Sequence, residues 1–415
     1  MDPRVQVLSN VVLAVRDARE VIHHASASHI VRYSRLFVST ILALPSLSSG
    51  HPLVRFAAFS LLLVLTSAIA LSYNYSDSNS ATAATTDNTE VEGPARRALS
   101  KFLMPTSSIW PERYLYIIRS ADQQQQSRNG KRISLQLGTF LRDIKQGIIE
   151  LRNPEIDLPL LLKGQLCTDG WNIELNMSFK DRSMAWAWVI SDEISCFPDE
   201  VYSIRSNAQP RPFTFAEGGM APVDWTVLKR YCTLFYENLD DIIVWPSLDC
   251  VPHAFIQRCI RSIQHDLRMA FGAQRTSVFS FATAEIGLSV FDDAFVFASL
   301  PFSRIPSRVS NRKGTQHAPR SCAPLFNRLS EVLSLLTSGP HPLRVLSLSN
   351  ASASYTTALE THASSLEYDA VTRRECIKSL GVQGWREERL YTRLEAAGLR
   401  AGVVMKWVVL LEVED

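Results

Sequence analysis

The 415-residue chain lacks the short patterns by which many enzymes are recognised: no GxSxG, GxxxxGK[ST], HExxH or GxGxxG occurs in it. Their absence removes the nucleophile-elbow hydrolases, the P-loop nucleotide hydrolases, the HExxH zinc peptidases and the fingerprint dinucleotide binders, while leaving room for enzymes whose site residues are dispersed. A charge excess is also missing. With 43 basic and 41 acidic side chains the formal charge is +2, so no global field recruits polyanions, and nucleic acid is not expected as a partner. Cysteine is sparse and scattered: Cys167, Cys196, Cys232, Cys250, Cys259, Cys322 and Cys376 form no CxxC. That spacing offers neither a zinc cluster nor a thioredoxin-type pair, and an odd set reads as reduced, buried thiols in a reducing compartment.

What is present begins with an ordinary folded balance, 46% hydrophobic and 20% charged residues. The length exceeds what one core usually fills, so an anchor plus one large or two smaller domains is expected. The anchor is the uncharged run from Phe56 through Leu63 and Ile69 to Tyr73. As a helix it rises about 1.5 Å per residue and just crosses a hydrocarbon layer of about 30 Å, with a buried core helix as the other reading. Arg32, Arg35 and Arg55 precede the run, and no Lys or Arg follows until Arg96, whereas Asp77, Asp87, Glu90 and Glu92 lie between. Positive charge stays cytosolic, which predicts a single-pass signal-anchor in the ER or Golgi with the C-terminal part across the membrane. Asn176 and Asn350 are then testable glycosylation acceptors. A second uncharged stretch, Leu36 to Ser49, supports a membrane hairpin that would return the domain to the cytosol, in keeping with reduced cysteines.

The expected layout is an amphipathic tail (1–35), the anchor (36–75), a flexible stem (76–98), a soluble α+β domain (99–302), a basic loop (303–320) and a C-terminal α/β part (321–415). The stem lacks large apolar residues apart from Val91 up to Pro94, too little to bury for order. Alternating Ile173, Leu175, Met177 and Phe179 predict a strand, with further strands in 131–141 and at Ser183–Ile190, the latter joined as a hairpin through Lys180–Arg182. Helices are predicted over Asp224–Leu239, Pro252–Phe271, Leu325–Leu336, Ser354–His362, Ala370–Leu380 and Trp385–Ala397, the last two closed by Gly381 and Gly398. Two strands are predicted within Ser277–Leu300, a short one at Arg344–Ser349 and a final one at Val403–Val413. The class is α+β, with mixed α/β as the alternative.

Two features could carry function. The Pro252 helix places Ile256, Ile260, Ile263 and Leu267 on one face and Arg258, Arg261, His265 and Arg268 on the other, a basic stripe able to meet an acidic partner or simply face water. His253 and His265 stand too far apart along it to share a metal. The other feature is Asn238-Leu239-Asp240-Asp241-Ile242-Ile243-Val244. Paired carboxylates beside an apolar run can hold Mn or Mg against a diphosphate leaving group. This run resembles the metal-binding acidic motif of nucleotide-sugar glycosyltransferases, and tail, span, stem and domain are arranged as in Golgi transferases. The resemblance implies a type II membrane glycosyltransferase with a metal at Asp240 and Asp241; its usual Asp-any-Asp form is absent. Asp292-Asp293 is a similar pair, read as a turn or helix cap. The principal expectation is a membrane-anchored, non-enzymatic binding or adaptor protein, tethered to lipid, without cofactor, that presents its domain to a protein partner.

Overall fold

The computed structural model describes residues 93–124, 130–178, 181–182, 227–228, 242–245, 247–251, 256–271, 276–289, 292–302 and 323–413. The chain divides into two units, 1–86 and 87–415, and all described residues belong to the second. The expected tail, membrane run and basic loop, the Ser183–Ile190 strand and most of the Asp224–Leu239 helix lie outside them; Val227 and Leu228 of that helix are helical and buried. Among the described residues no helix is long and apolar enough to cross a membrane.

The first described element lies partly inside the segment expected as stem. Helix α1 (Pro94–Phe102) opens with a proline, which suits a first turn because its missing N–H would have no helical acceptor there. It buries Ala95, Ala98, Leu99 and Phe102, the three-and-four spacing of a single face. Ala95 N–H donates to Asp122 Oδ1 at 2.9 Å, which ties α1 to α2 (Glu112–Gln124). Strand β1 (Leu103–Pro105) pairs antiparallel with β3 (Ile149–Leu151). Strand β2 (Arg132–Gln136) runs parallel to β5 (Trp171–Asn176), whose other side takes β4 (Cys167–Thr168).

Here the structure bounds the strand expected within 131–141. The strand of 131–141 stops at Gln136, and α3 (Leu137–Gln146) follows at once. Ile133 and Leu135 alternate, but Leu137, Phe140 and Ile144 recur at helical spacing, so the period changes within one apolar run. The second strand of the hairpin expected through Lys180–Arg182 lies outside the described residues; among those described, Asp181 Oδ2 accepts from Ser178 N (2.9 Å) and Oγ (2.7 Å), and β5 pairs with β2 and β4. Helix α4 (Pro154–Leu162) lies between β3 and β4.

The second half is built on a four-stranded sheet of β6 (Ile242–Val244), β7 (Thr276–Ala284), β8 (Leu343–Asn350) and β9 (Val404–Val413), in the order β6-β7-β9-β8. Strands β6 and β7 are parallel, and β9 is antiparallel to both β7 and β8. The sheet thus joins strands from both sides of residues 303–320. Helix α5 (Ile256–Phe271) connects β6 to β7, and α6 (Asp293–Ser299) and α7 (Leu329–Thr337) lie between β7 and β8. The second strand expected within 277–300 is α6: Phe295 through Ser299 are all buried, so no exposed alternate remains to make a sheet face.

Strands β8 and β9 are neighbours, yet α8 (Ser352–Tyr368) and α9 (Ala370–Arg400) are inserted between them. The expected break at Gly381 is a kink with φ 78° and ψ 173°, backbone open to glycine and very few others. The expected stop at Gly398 is passed: α9 reaches Arg400 and reverses at Gly402, φ 74°. One sheet face packs Phe279, Phe281, Val409 and Leu411 against α5 and α7; the other packs Val278, Ala282, Val408 and Leu410 within the larger core shared with α1 to α4 and α9. Among the described residues this is a mixed α+β architecture with three small sheets.

Candidate functional site

Among the described residues, the most concentrated buried polar group lies at the carboxyl ends of β6 and β7, the edge at which open α/β sheets commonly bind ligands. Lys406 stands on β9 opposite Ala282 of β7 and is 1% exposed. Its ammonium donates to Asp249 and lies 3.1 Å from Ser247 Oγ and 5.0 Å from the centre of the Tyr355 ring. Asp249, fully buried, also accepts from Ala282 N–H at 2.7 Å, and Ser247 Oγ donates to Ser280 O at 3.1 Å. A serine beside a lysine is the layout of a nucleophile and its base. Two contacts prevent that use: the ammonium is committed to Asp249, and the Ser247 proton is committed to the Ser280 carbonyl. The centre therefore ties the 3-10 turn Leu248–Cys250, which follows β6, to β7 and β9. Sequence reasoning missed it, although one lysine inside Val403–Val413 was the available signal.

The predicted basic stripe is present as a surface. Arg258, Arg261, His265 and Arg268 are all exposed on α5, while Ile256, Cys259, Ile260, Ile263 and Leu267 are buried beneath them. The fold adds a neighbour that the helix pattern could not reveal. His341, just before β8, lies beside His265 with the rings tilted and their centroids 5.9 Å apart, and its Nδ1 is 3.3 Å from Arg268 Nη1. Arg344 follows on β8 with its side chain 67% exposed, 3.9 Å from Glu412. Burial pushes the Cys259 thiol up to about 11, so it is a core residue and no nucleophile.

The remaining candidates separate. Asp240 and Asp241 lie outside the described residues, as do Phe56, Leu63, Ile69, Tyr73 and His253. Asp292 and Asp293 take turn and pairing roles: Asp292 Oδ2 accepts from Ser289 N–H at 2.8 Å, and Asp293 pairs with Arg182 at 2.6 Å. Among the described residues, no three His, Cys, Asp or Glu side chains are grouped to hold a metal ion. The sequon residue Asn350 accepts from Ser352 N–H at 3.0 Å, and Asn176 donates to Ser134.

The inserted α8–α9 pair has two unlike parts. After the Gly381 kink, α9 is fixed by charge: Arg393, 8% exposed, holds Glu155 at 3.0 Å and also Glu367; Arg400 bonds Glu155 O at 3.0 Å and Glu360 at 2.6 Å. Arg386 donates to Gln146 O at 2.7 Å, and Lys145 donates to Tyr391 Oη at 2.7 Å. Around the α8–α9 junction, by contrast, Tyr368, Val371 and Val382 are 80%, 54% and 49% exposed.

No protein-family model matches the chain, and no curated protein is similar to it. Among solved structures, the crystal structure of mycolic acid cyclopropane synthase CmaA1 in its apo form overlaps 41% of this chain at 12% identity and a TM-score of 0.28. The chain spans 58% of the length of that protein. An overlap of this extent defines neither a fold family nor an activity for this chain.

Proposed function

We propose that the protein is a membrane-anchored, non-enzymatic binding protein that presents its α+β domain to a protein partner through the α8–α9 junction. The observation that carries the reading is the exposed Tyr368, Val371 and Val382 on an insertion whose other end is held firmly by Arg393 and Arg400. Two adjacent antiparallel strands can be joined by a few residues; instead residues 351–403 separate β8 from β9. A rigid base under an exposed tyrosine and two valines supplies what protein contacts favour, an aromatic anchor at small ordering cost. The uncharged run 56–73 and the polar stem support tethering, which raises the local concentration of the domain at a membrane-bound partner.

The test is crosslinking of the full-length chain in native membranes, with a photoreactive residue at Val382 and mass-spectrometric identification. A defined protein adduct, lost in a Tyr368→Ala/Val371→Asp variant whose melting is unchanged, is the expected result. No protein adduct, together with manganese-dependent hydrolysis of a nucleotide sugar that Asp240→Ala/Asp241→Ala abolishes, overturns it. Membrane anchorage is tested separately: the chain should stay with the membrane pellet in alkaline carbonate.

A further inference from the structure

We infer that the basic stripe of α5 is a second membrane contact, one that lays this face of the domain on an anionic phospholipid surface. Arg258, Arg261, His265 and Arg268 follow each other at steps of three, four and three, one line along the helix about 15 Å long at 1.5 Å per residue. His341 lies beside Arg268 at the end of this line, and the one acidic residue in the sequence of α5 is Asp266. Among the described residues, Glu331 of α7, whose carboxylate accepts from Arg328 N–H at 2.9 Å, is the acidic group on the adjoining helix. The exposed α5 residues beside the stripe include Gln257 and Ser262, with no exposed large hydrophobic residue on this helix among the described side chains.

That composition selects the occupant. Protein interfaces draw most of their affinity from buried aromatic and apolar anchors, which this stripe lacks among the described side chains. A charged lipid surface requires none: each Lys or Arg near it contributes through the surface potential without insertion. The inference rests on the anchorage proposed above, because the run 56–73 and the residues up to Gly93 keep the domain within reach of headgroups. Twenty extended residues span at most about 70 Å. Anionic lipid is concentrated in cytosolic leaflets, so this contact goes with the hairpin of 36–49 and 56–73, which leaves the domain on the cytosolic side, and with reduced cysteines.

The experiment places p-benzoylphenylalanine at Gln257 of the full-length chain, reconstituted into vesicles of phosphatidylcholine alone or with 30% phosphatidylserine, and reads adducts by mass spectrometry. Lipid adducts should depend on phosphatidylserine and fall in 0.5 M salt. The ratio of docked to free domain should drop about fivefold for each of Arg258→Gln, Arg261→Gln and Arg268→Gln, the tie being electrostatic. Equal yields in both vesicles overturn the inference, as do adducts in native membranes that are protein only. Failure of anchorage is read independently: a chain that does not float with pure phosphatidylcholine vesicles is not anchored, and charge-dependent flotation with phosphatidylserine then still reports on the stripe.

Discussion

The two faces of the four-stranded sheet each bury a polar tie, and the ties differ in charge. On one face Lys406 and Asp249 form an ion pair at 1% and 0% exposure. On the other, Gln264 of α5, also 1% exposed, donates from Nε2 to Leu335 O (3.1 Å), Leu336 O (2.8 Å) and Ser338 O (3.0 Å), capping the end of α7. The neutral amide shares its two N–H groups among three carbonyls at a helix end, at modest cost. The ion pair holds a turn to two strands, but each partner is a liability without the other.

Breaking the pair should therefore show the largest effect. Lys406→Met, which leaves Asp249 buried and uncompensated, is expected to lower stability by about 3–5 kcal/mol, whereas the double change Lys406→Met/Asp249→Leu should recover most of it. Denaturant melts of the two variants check this; equal losses would show that packing, not charge, governs this face. Gln264→Met should cost less, about 1–3 kcal/mol, because it strands carbonyls and not a charge. If it matched Lys406→Met, the contrast between the faces would fail.

Arg393→Met sharpens the comparison where a buried guanidinium meets half-exposed carboxylates. Its partners Glu155 and Glu367 keep 47% and 30% side-chain exposure, so water screens what remains and the expected loss is about 1 kcal/mol, measured as a shift of the melting midpoint. On the α5 face, Cys259 should resist iodoacetamide at pH 8 while exposed Cys167 is labelled, since burial holds the Cys259 thiol near 11. Peptide mass spectra read the difference, and equal labelling would mean that α5 opens in the native state.

The smallest effect concerns pH. Burial raises the Asp157 carboxyl above its ordinary 3.8, so its ionised form is disfavoured in the folded chain. The penalty is present in full above the raised folded value and is relieved as pH falls toward the unfolded one. Asp157→Asn should thus melt slightly higher than the parent at neutral pH, with the gain vanishing in acid; a gain that persisted below pH 3 would implicate something other than ionisation.

Where one periodicity ruled a segment, the sequence was a reliable guide. The spacing from Ile256 to Leu267 located α5 and its wet face, and Val403–Val413 located β9 to within a residue. Legibility failed where two periods met in one apolar run, as at Gln136 to Leu137, and where burial on all sides erased alternation, as at Phe295–Ser299. The candidate stripe was half legible. Its helical members share one element and a short-range pattern, but His341 comes to Arg268 only through folding.

By itself the sequence determined the apolar and polar faces of single elements, since these follow from local spacing and the transfer of side chains out of water. Only the tertiary structure decided that β9 enters between β7 and β8, that Lys406 meets Asp249 across a separation of 157 residues, and that Arg393 reaches Glu155 across 238. Such contacts depend on which strand edges and helix faces come together, and a one-dimensional pattern carries no record of distance between residues so far apart.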